Sequence, residues 1–146
     1  MAKICHYTVS EINAYQRVAG EAIFEIGRRL KHVKENDLAH GQWSKWCESI
    51  GMDRTTAYRF IKVYDELGRG NVAPWQQIGM KALYEIATLP PDEREKPHVI
   101  PSTGEVKTVD EMTVRELREV KKALKEAEKA RSRHVTHCAN CSRTLC

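Results

Sequence analysis

Apolar and polar residues alternate with a helical period in the first quarter of the chain. Between residues 10 and 35, apolar side chains recur at steps of three and four, which predicts a long amphipathic helix. These positions are Ile12, Tyr15, Ala19, Ala22, Ile23, Ile26, Leu30 and Val33. The segment "TVSE" at residues 8–11 fits a capping box, so we expect the helix to begin there. Gly20 and Gly27 weaken it and suggest close contacts with other helices.

Two shorter helices are predicted on either side of Gly51. The segment 42–50 places apolar residues on one side of a helix, and Gly51 follows at the position where a glycine ends helices best. Asp53 is a favoured N-cap for a third helix over residues 54–67. The three helices together predict a small helical domain.

The pattern continues with helices that prolines interrupt. Residues 80–88 predict a helix with Leu83, Ile86 and Ala87 inward, and Pro90-Pro91 ends it. Residues 98–109 are the only strand-like stretch, with a hairpin turn at Ser102-Thr103-Gly104.

The C-terminal part is predicted as one charged helix and a loop. "TVRE" at 113–116 is a second capping box, and it precedes a helix over residues 114–131. The apolar stripe of this helix consists of Val114, Leu117, Val120, Leu124 and Ala127. Residues 132–146 are predicted to be loop.

These elements define a mainly α protein in four segments. Residues 1–68 form a helix-turn-helix domain with a long first helix, and 69–110 a helical connector with a small hairpin. Residues 111–133 form a C-terminal amphipathic helix, and 134–146 a tail with cysteine and histidine.

Composition narrows the class of protein. The 146 residues are 41% hydrophobic and 30% charged, which is typical of a folded helical protein. No apolar run has membrane-spanning length, and no secretion signal is seen, so we expect a cytoplasmic protein with reduced cysteines. The formal net charge is +4, but residues 1–68 carry ten Lys/Arg against nine Asp/Glu. The basic excess therefore lies at the C-terminus.

The segment around Gly51 matches a helix-turn-helix at every position tested. A small residue, Cys47, stands four before the glycine, where two helices must cross. The apolar positions that the motif requires carry Trp46, Ile50, Met52, Ala57 and Phe60. On the third helix, the residues facing away from this core have side chains that suit a major groove. We therefore predict DNA contacts by Arg54, Thr55, Tyr58, Arg59 and Lys62. Asp65 and Glu66 continue the same face and would repel phosphate.

The same residues carry a resemblance. Residues 17–67 resemble the helix-turn-helix-like domain of small, largely uncharacterised phage and prophage proteins. The matching residues are His40-Gly41, Trp43, Trp46, Gly51 and Arg54-Thr55-Thr56-Ala57-Tyr58-Arg59. The resemblance implies a regulatory protein of a phage or its bacterial host, and it supplies no established activity.

Two functions follow as hypotheses. The first is a transcriptional regulator that binds double-stranded DNA, with the basic C-terminal helix adding phosphate contacts. The second is a protein-interaction module that modulates a host or phage protein, as an antirepressor or inhibitor does. The sequence contains no phosphate-binding glycine loop, HExxH motif or nucleophile elbow, so we do not expect an enzyme.

The last residues and the long helices suggest partners. Cys138 and Cys141 have the spacing of zinc ligands, with His134, His137 and Cys146 as candidates for the remaining positions. A disordered tail without metal is the alternative. The apolar stripe of the C-terminal helix or of the first helix needs a partner, since an isolated helix is marginal in water. We predict a homodimer through one of these helices, and packing within the chain is the alternative.

Overall fold

The computed structural model describes the backbone of residues 2–37 and 41–141 and the side chains of residues 9–36 and 41–133. It is mainly helical, as predicted, and it forms two compact units, Met1–Pro90 and Pro91–Cys146. The segment boundaries proposed from the sequence at residues 68, 110 and 133 stay predictions. None of the helices in the described ranges is both long enough and apolar enough to span a membrane.

The described residues of the first unit form four α-helices. Helix α1 spans Ala2–His32 and continues as one π-helical turn over Val33–Asp37. Helix α2 spans Trp43–Ser49 and α3 spans Arg54–Leu67. After a short 3-10 helix at Ala73–Trp75, α4 spans Met80–Ala87. The predicted bounds of α2, α3 and α4 are confirmed to within a residue.

Close backbone contact joins α1 to the rest of this unit. A Cβ atom on Gly27 would lie 2.7 Å from the Cβ of Tyr64, and closer still to the carbonyl oxygen of Phe60. A Cβ on Gly20 would lie 2.7 Å from the Cα of Gln76. Since no side chain fits at either position, α1 packs on α3 and on the loop before α4 at helix-backbone distance. The expected close contact with another helix is confirmed at Gly27, whereas Gly20 makes its close contact with a loop.

The core of the first unit is built where α1, α2 and α3 meet. Its fully or nearly buried members are Leu30, Cys47, Ala57 and Ile61. Partly buried aromatic and apolar side chains pack around them, namely Trp43, Trp46, Met52 and Phe60. On α4, the predicted inward residues Leu83, Ile86 and Ala87 are buried.

The second unit is a hairpin followed by a long helix. After a helical turn α5 at Pro91–Arg94, strands β1 (His98–Val99) and β2 (Val106–Lys107) pair antiparallel, with His98 opposite Lys107. Gly104 has a positive φ of 72° in the connecting turn, as the predicted hairpin requires. Helix α6 spans Val114–Cys141. The core of this unit consists of Ile100, Val109, Met112, Leu117 and Val120.

The second capping box is confirmed at the start of α6. The backbone amide of Thr113 donates to a carboxylate oxygen of Glu116 at 2.7 Å, and the Glu116 amide donates to the Thr113 hydroxyl at 3.3 Å. Glu116 also accepts from Lys107 at 2.9 Å. The Thr113 amide and the Lys107 ammonium together lower the pKa of Glu116 to about 2.

Three expectations from the sequence were wrong. The capping box at residues 8–11 is not a helix start, because α1 begins at Ala2 and runs through it. The segment 132–141 is helical, not loop, because α6 continues to Cys141. Ile50, expected in the core, is 47% exposed at the end of α2.

Candidate nucleic-acid interface

The turn between α2 and α3 is set by a glycine and an aspartate. Gly51 has a φ of 72°, a left-handed conformation that only glycine adopts at little cost, and its amide donates to the carbonyl of Glu48 at 3.0 Å. Asp53 then caps α3, accepting from the amides of Thr55 at 2.8 Å and Thr56 at 3.0 Å. The predicted roles of both residues are confirmed. The start of α3 is therefore held in a defined position relative to α2.

The pKa of Asp53 makes this cap sensitive to pH. Hydrogen bonds from the Thr56 hydroxyl and from the Thr56 and Thr55 amides lower its pKa below the ordinary 3.8. A carboxylate with a depressed folded-state pKa stabilises the fold above its unfolded-state pKa, and this contribution is lost as pH falls through the folded-state value. We expect the stability of the first unit to decrease below about pH 4 in part through this residue.

Asp53→Asn tests this expectation, because asparagine caps helices about as well as aspartate but does not titrate. Urea unfolding is followed by fluorescence of Trp43, Trp46 and Trp75, which all lie in the first unit. The variant should show a smaller loss of stability between pH 5 and pH 3 than the parent protein. Equal slopes in the two proteins would contradict a role for the Asp53 charge.

Cys47 lies where α2 meets α3. It is completely buried, and burial raises the pKa of its thiol, so that the side chain acts as a small apolar group. Ala57 on α3 is also completely buried in the same cluster. Small residues at these two positions allow the two helices to approach closely. A small residue at the helix crossing is what the sequence predicted.

Two stacked tryptophans hold α2 against the end of α1. The rings of Trp43 and Trp46 are stacked with centroids 5.5 Å apart, and the ammonium of Lys34 lies 5.8 Å from the Trp43 ring. The contact with Lys34 connects α2 to the π-helical turn that ends α1. These contacts orient α2, and with it the turn that leads into α3.

The first two turns of α3 present polar side chains opposite the core. The residues that the sequence singled out there and that are exposed in the structure are Arg54, Thr55, Tyr58 and Arg59. Tyr58 is 51% exposed, and the Arg59 guanidinium lies 5.5 Å from the ring of Tyr84 on α4. The contact with Tyr84 limits the directions in which Arg59 can extend.

Ion pairs dominate the second half of α3. Lys62 donates to Glu66 at 2.8 Å, so the fifth predicted contact residue is held by a carboxylate one turn away. Asp65 pairs with Lys31 of α1 and accepts from Arg69 at 3.4 Å. These pairs neutralise the carboxylates of Asp65 and Glu66 within the protein. They also hold the charged ends of Lys31, Lys62 and Arg69. The first two turns remain the part of this face where side chains extend into solvent.

A groove with basic residues lies beside the end of α3. It has a volume of about 560 Å³ between the C-terminal end of α1 and the C-terminal end of α3. Its basic lining residues are Arg28, Lys31, His32 and Arg69, and Glu35 also contributes. Sequence reasoning missed this groove because its residues come from two helices far apart in the chain. The recurrence of basic residues over positions 28–34 was the only local signal.

The predicted zinc ligands cannot be placed. The side chains of His134, His137, Cys138 and Cys141 and the whole of Cys146 lie outside the described residues, as does His40 of the resemblance. Among the side chains that are described, no group of three or more His, Cys, Asp or Glu is arranged to hold a metal ion. The zinc site stays a prediction.

Comparison with known proteins identifies the family. No curated protein matches the chain, and no solved structure matches it. A family model described as "Protein of unknown function (DUF3102)" matches residues 5–127, which include both compact units up to the middle of α6. The chain therefore belongs to the DUF3102 family of proteins of unknown function.

Proposed function

We propose that the protein is a transcriptional regulator of a phage or other mobile element that binds double-stranded DNA through α2 and α3. The observation that carries the proposal is the two-sided character of α3. Ala57, Ile61 and Val63 are buried on one side, and Arg54, Thr55, Tyr58 and Arg59 are exposed on the other. A helix packed and capped in this way is a rigid element that can enter a major groove.

The exposed side chains suit contacts with bases and phosphates. An arginine can bind the O6 and N7 atoms of guanine with two hydrogen bonds, and a threonine can contact a base edge or a thymine methyl group. Tyrosine and arginine also bind phosphate oxygens. The phage origin and the cytoplasmic location rest on the resemblance over residues 17–67.

Helix α6 supports the proposal with a row of basic residues. They recur at steps of three and four, on one face of the helix, and they are Arg115, Arg118, Lys122, Lys125 and Lys129. Some pair with acidic neighbours, as Arg115 does with Glu119 at 3.1 Å. In this proposal the row adds contacts to phosphate that carry no sequence information but make binding dependent on salt.

Arg54→Ala tests the proposal in a DNA-binding assay. Fluorescence anisotropy with a panel of fragments from the upstream region of the gene, over a salt series, measures affinity and its salt slope. If Arg54 contacts a base, the variant should bind the preferred fragment about 10- to 100-fold more weakly, corresponding to roughly 1–3 kcal/mol, and discriminate less between fragments. Circular dichroism should remain unchanged because Arg54 is exposed.

Arg17→Ala is the matched control, since it removes the same charge from an exposed position of α1. It should leave discrimination between fragments intact. If Arg17→Ala and Arg54→Ala have equal effects, α3 does not make specific contacts. Absence of any binding at low salt would reject DNA binding by this protein.

A protein-interaction module is the second candidate. The near balance of charge over residues 1–68 favours it, because non-specific affinity for DNA comes mainly from neutralised phosphates. The exposed ring of Tyr58 also has the character of an interface residue. A stoichiometric partner captured from bacterial lysate after nuclease treatment, and lost with Tyr58→Ala, would support this function over the first.

A further inference from the structure

An exposed apolar seam runs along α1. It consists of Ile12, Tyr15, Ala19, Ala22 and Ile26, and its three large members are 50%, 75% and 36% exposed. The spacing alternates between three and four residues, which is the pattern of the seam between two helices in a coiled coil. From the sequence alone, these residues and Leu30 were expected to face one core. The structure separates them.

The core-facing side of α1 lies elsewhere on the helix. Gly27 contacts α3 and Phe24 is buried, whereas Leu30, on the same line of the helix as Ile12, is buried only beyond the C-terminal end of the seam. Ile26 precedes Gly27, so its side chain points roughly 100° away from that contact. Every residue from position 9 to position 19 is exposed, so none of the described chain covers this part of the helix. A helical segment without packing is marginal in water, so the N-terminal half of α1 needs a partner.

We propose that a second copy of this chain covers the seam, with the two α1 helices packed antiparallel. In this alignment Ala19 meets the partner's Ala22 at the centre, where small side chains let the helices approach closely. Towards each end, Tyr15 packs against the partner's Ile26, so that two large apolar side chains are in contact there. The seam covers about 21 Å of helix at 1.5 Å per residue.

The charges beside the seam select the antiparallel alignment. Glu11 and Arg29 are separated by 18 residues, about five helical turns, so they lie on the same line along α1 near opposite ends of the seam. An antiparallel pair brings Glu11 against the partner's Arg29 at both ends. A parallel pair would instead place these two residues on opposite flanks of the interface from their copies in the partner, so that Glu11 would not meet the partner's Arg29. The Arg29 side chain is 73% exposed, and among the described residues it donates to Glu25 of its own helix at 2.9 Å. Its remaining N–H groups can donate to a second carboxylate.

The identity of the occupant follows from this self-complementarity. A seam with small residues at its centre, and with opposite charges at its two ends on one side, matches itself after a two-fold rotation. An unrelated partner would require no such symmetry. The inference goes beyond DNA binding and does not depend on it, because the dimer is measured without DNA.

Charge reversal with rescue tests the proposal. Sedimentation equilibrium of the full chain, without DNA and with reductant to exclude cysteine cross-links, gives the dimer dissociation constant. Glu11→Arg and Arg29→Glu should each raise it by about tenfold or more, since each replaces two attractive contacts with two repulsive ones. An equimolar mixture of the two variants, and the double variant, should both restore association.

Arg17→Glu is the control, because Arg17 is exposed on α1 but lies off the seam. It should leave the dissociation constant unchanged. Ala19→Glu, at the centre of the seam, should abolish association, and circular dichroism of α1 variants checks that each remains folded. A parent protein that is monomeric at about 100 μM, or single variants that the mixture fails to rescue, would overturn the antiparallel dimer.

Discussion

Gly27→Ala is expected to destabilise the first unit by about 2 kcal/mol, although alanine is the better helix former. At an exposed position in a helix the same change would stabilise by up to about 1 kcal/mol. In this structure the added methyl group would overlap the Phe60 carbonyl and the Tyr64 side chain of α3. Because the carbonyl belongs to a helix backbone, relief requires a shift of α1 relative to α3 rather than a change of rotamer.

Urea unfolding monitored by tryptophan fluorescence measures this effect in the first unit alone, since all three tryptophans lie there. Gly70→Ala is the control, because no atom apart from those of its immediate chain neighbours lies within 4 Å of the position that its Cβ would occupy. The control should change stability by less than about 0.5 kcal/mol. A Gly27→Ala protein as stable as the parent would mean that α1 and α3 are further apart than described.

The second large effect is expected at the contact between α2 and α3. Cys47→Leu adds volume at a completely buried position, and overpacking of this kind costs about 1–3 kcal/mol. Cys47→Ala removes only the sulfur atom and should cost about 1 kcal/mol, because it leaves a small cavity. The pair of variants therefore separates the need for a small residue from the need for a thiol.

The two variants at position 47 should also differ in their effect on the proposed function. Leucine at position 47 pushes α2 away from α3, next to the turn that Gly51 and Asp53 form. If the protein binds DNA through α3 as proposed, Cys47→Leu should weaken that binding more than its loss of stability explains, when affinity is measured at a temperature where the variant is folded. If Cys47→Leu is as stable as Cys47→Ala, the helices do not cross at this residue.

Local signals in the sequence predicted local structure well. The end of α2 follows from Gly51 and the start of α3 from Asp53, because a left-handed glycine and a side-chain cap act within a few residues of themselves. The hairpin and the capping box of Thr113 and Glu116 are local in the same sense. The four exposed candidate residues of α3 follow from helical periodicity, once the helix and its buried face are known.

Two predictions about α1, its buried face and its first residue, were wrong. The apolar pattern of α1 was assigned to one core-facing stripe, but the actual contact runs along Gly20, Phe24 and Gly27, because two glycines admit a helix backbone that larger residues would keep away. The capping box at residues 8–11 has the right composition, yet the helix continues through it to Ala2. A capping-box sequence stabilises a helix that begins there, but it does not stop a helix that has begun earlier in the chain.

The sequence by itself determined that this protein is mainly helical, where most of its helices end, and which residues of α3 face away from the core. Those properties depend on propensity, capping and periodicity, which act over a few residues. Only the tertiary structure decided which face of α1 is buried, that Lys31, Asp65 and Arg69 meet beside α3, and that Ile12, Tyr15 and Ile26 are left exposed. These outcomes depend on the approach of helices that are distant in the chain, where backbone distance and the volume of each contacting side chain decide which surfaces meet.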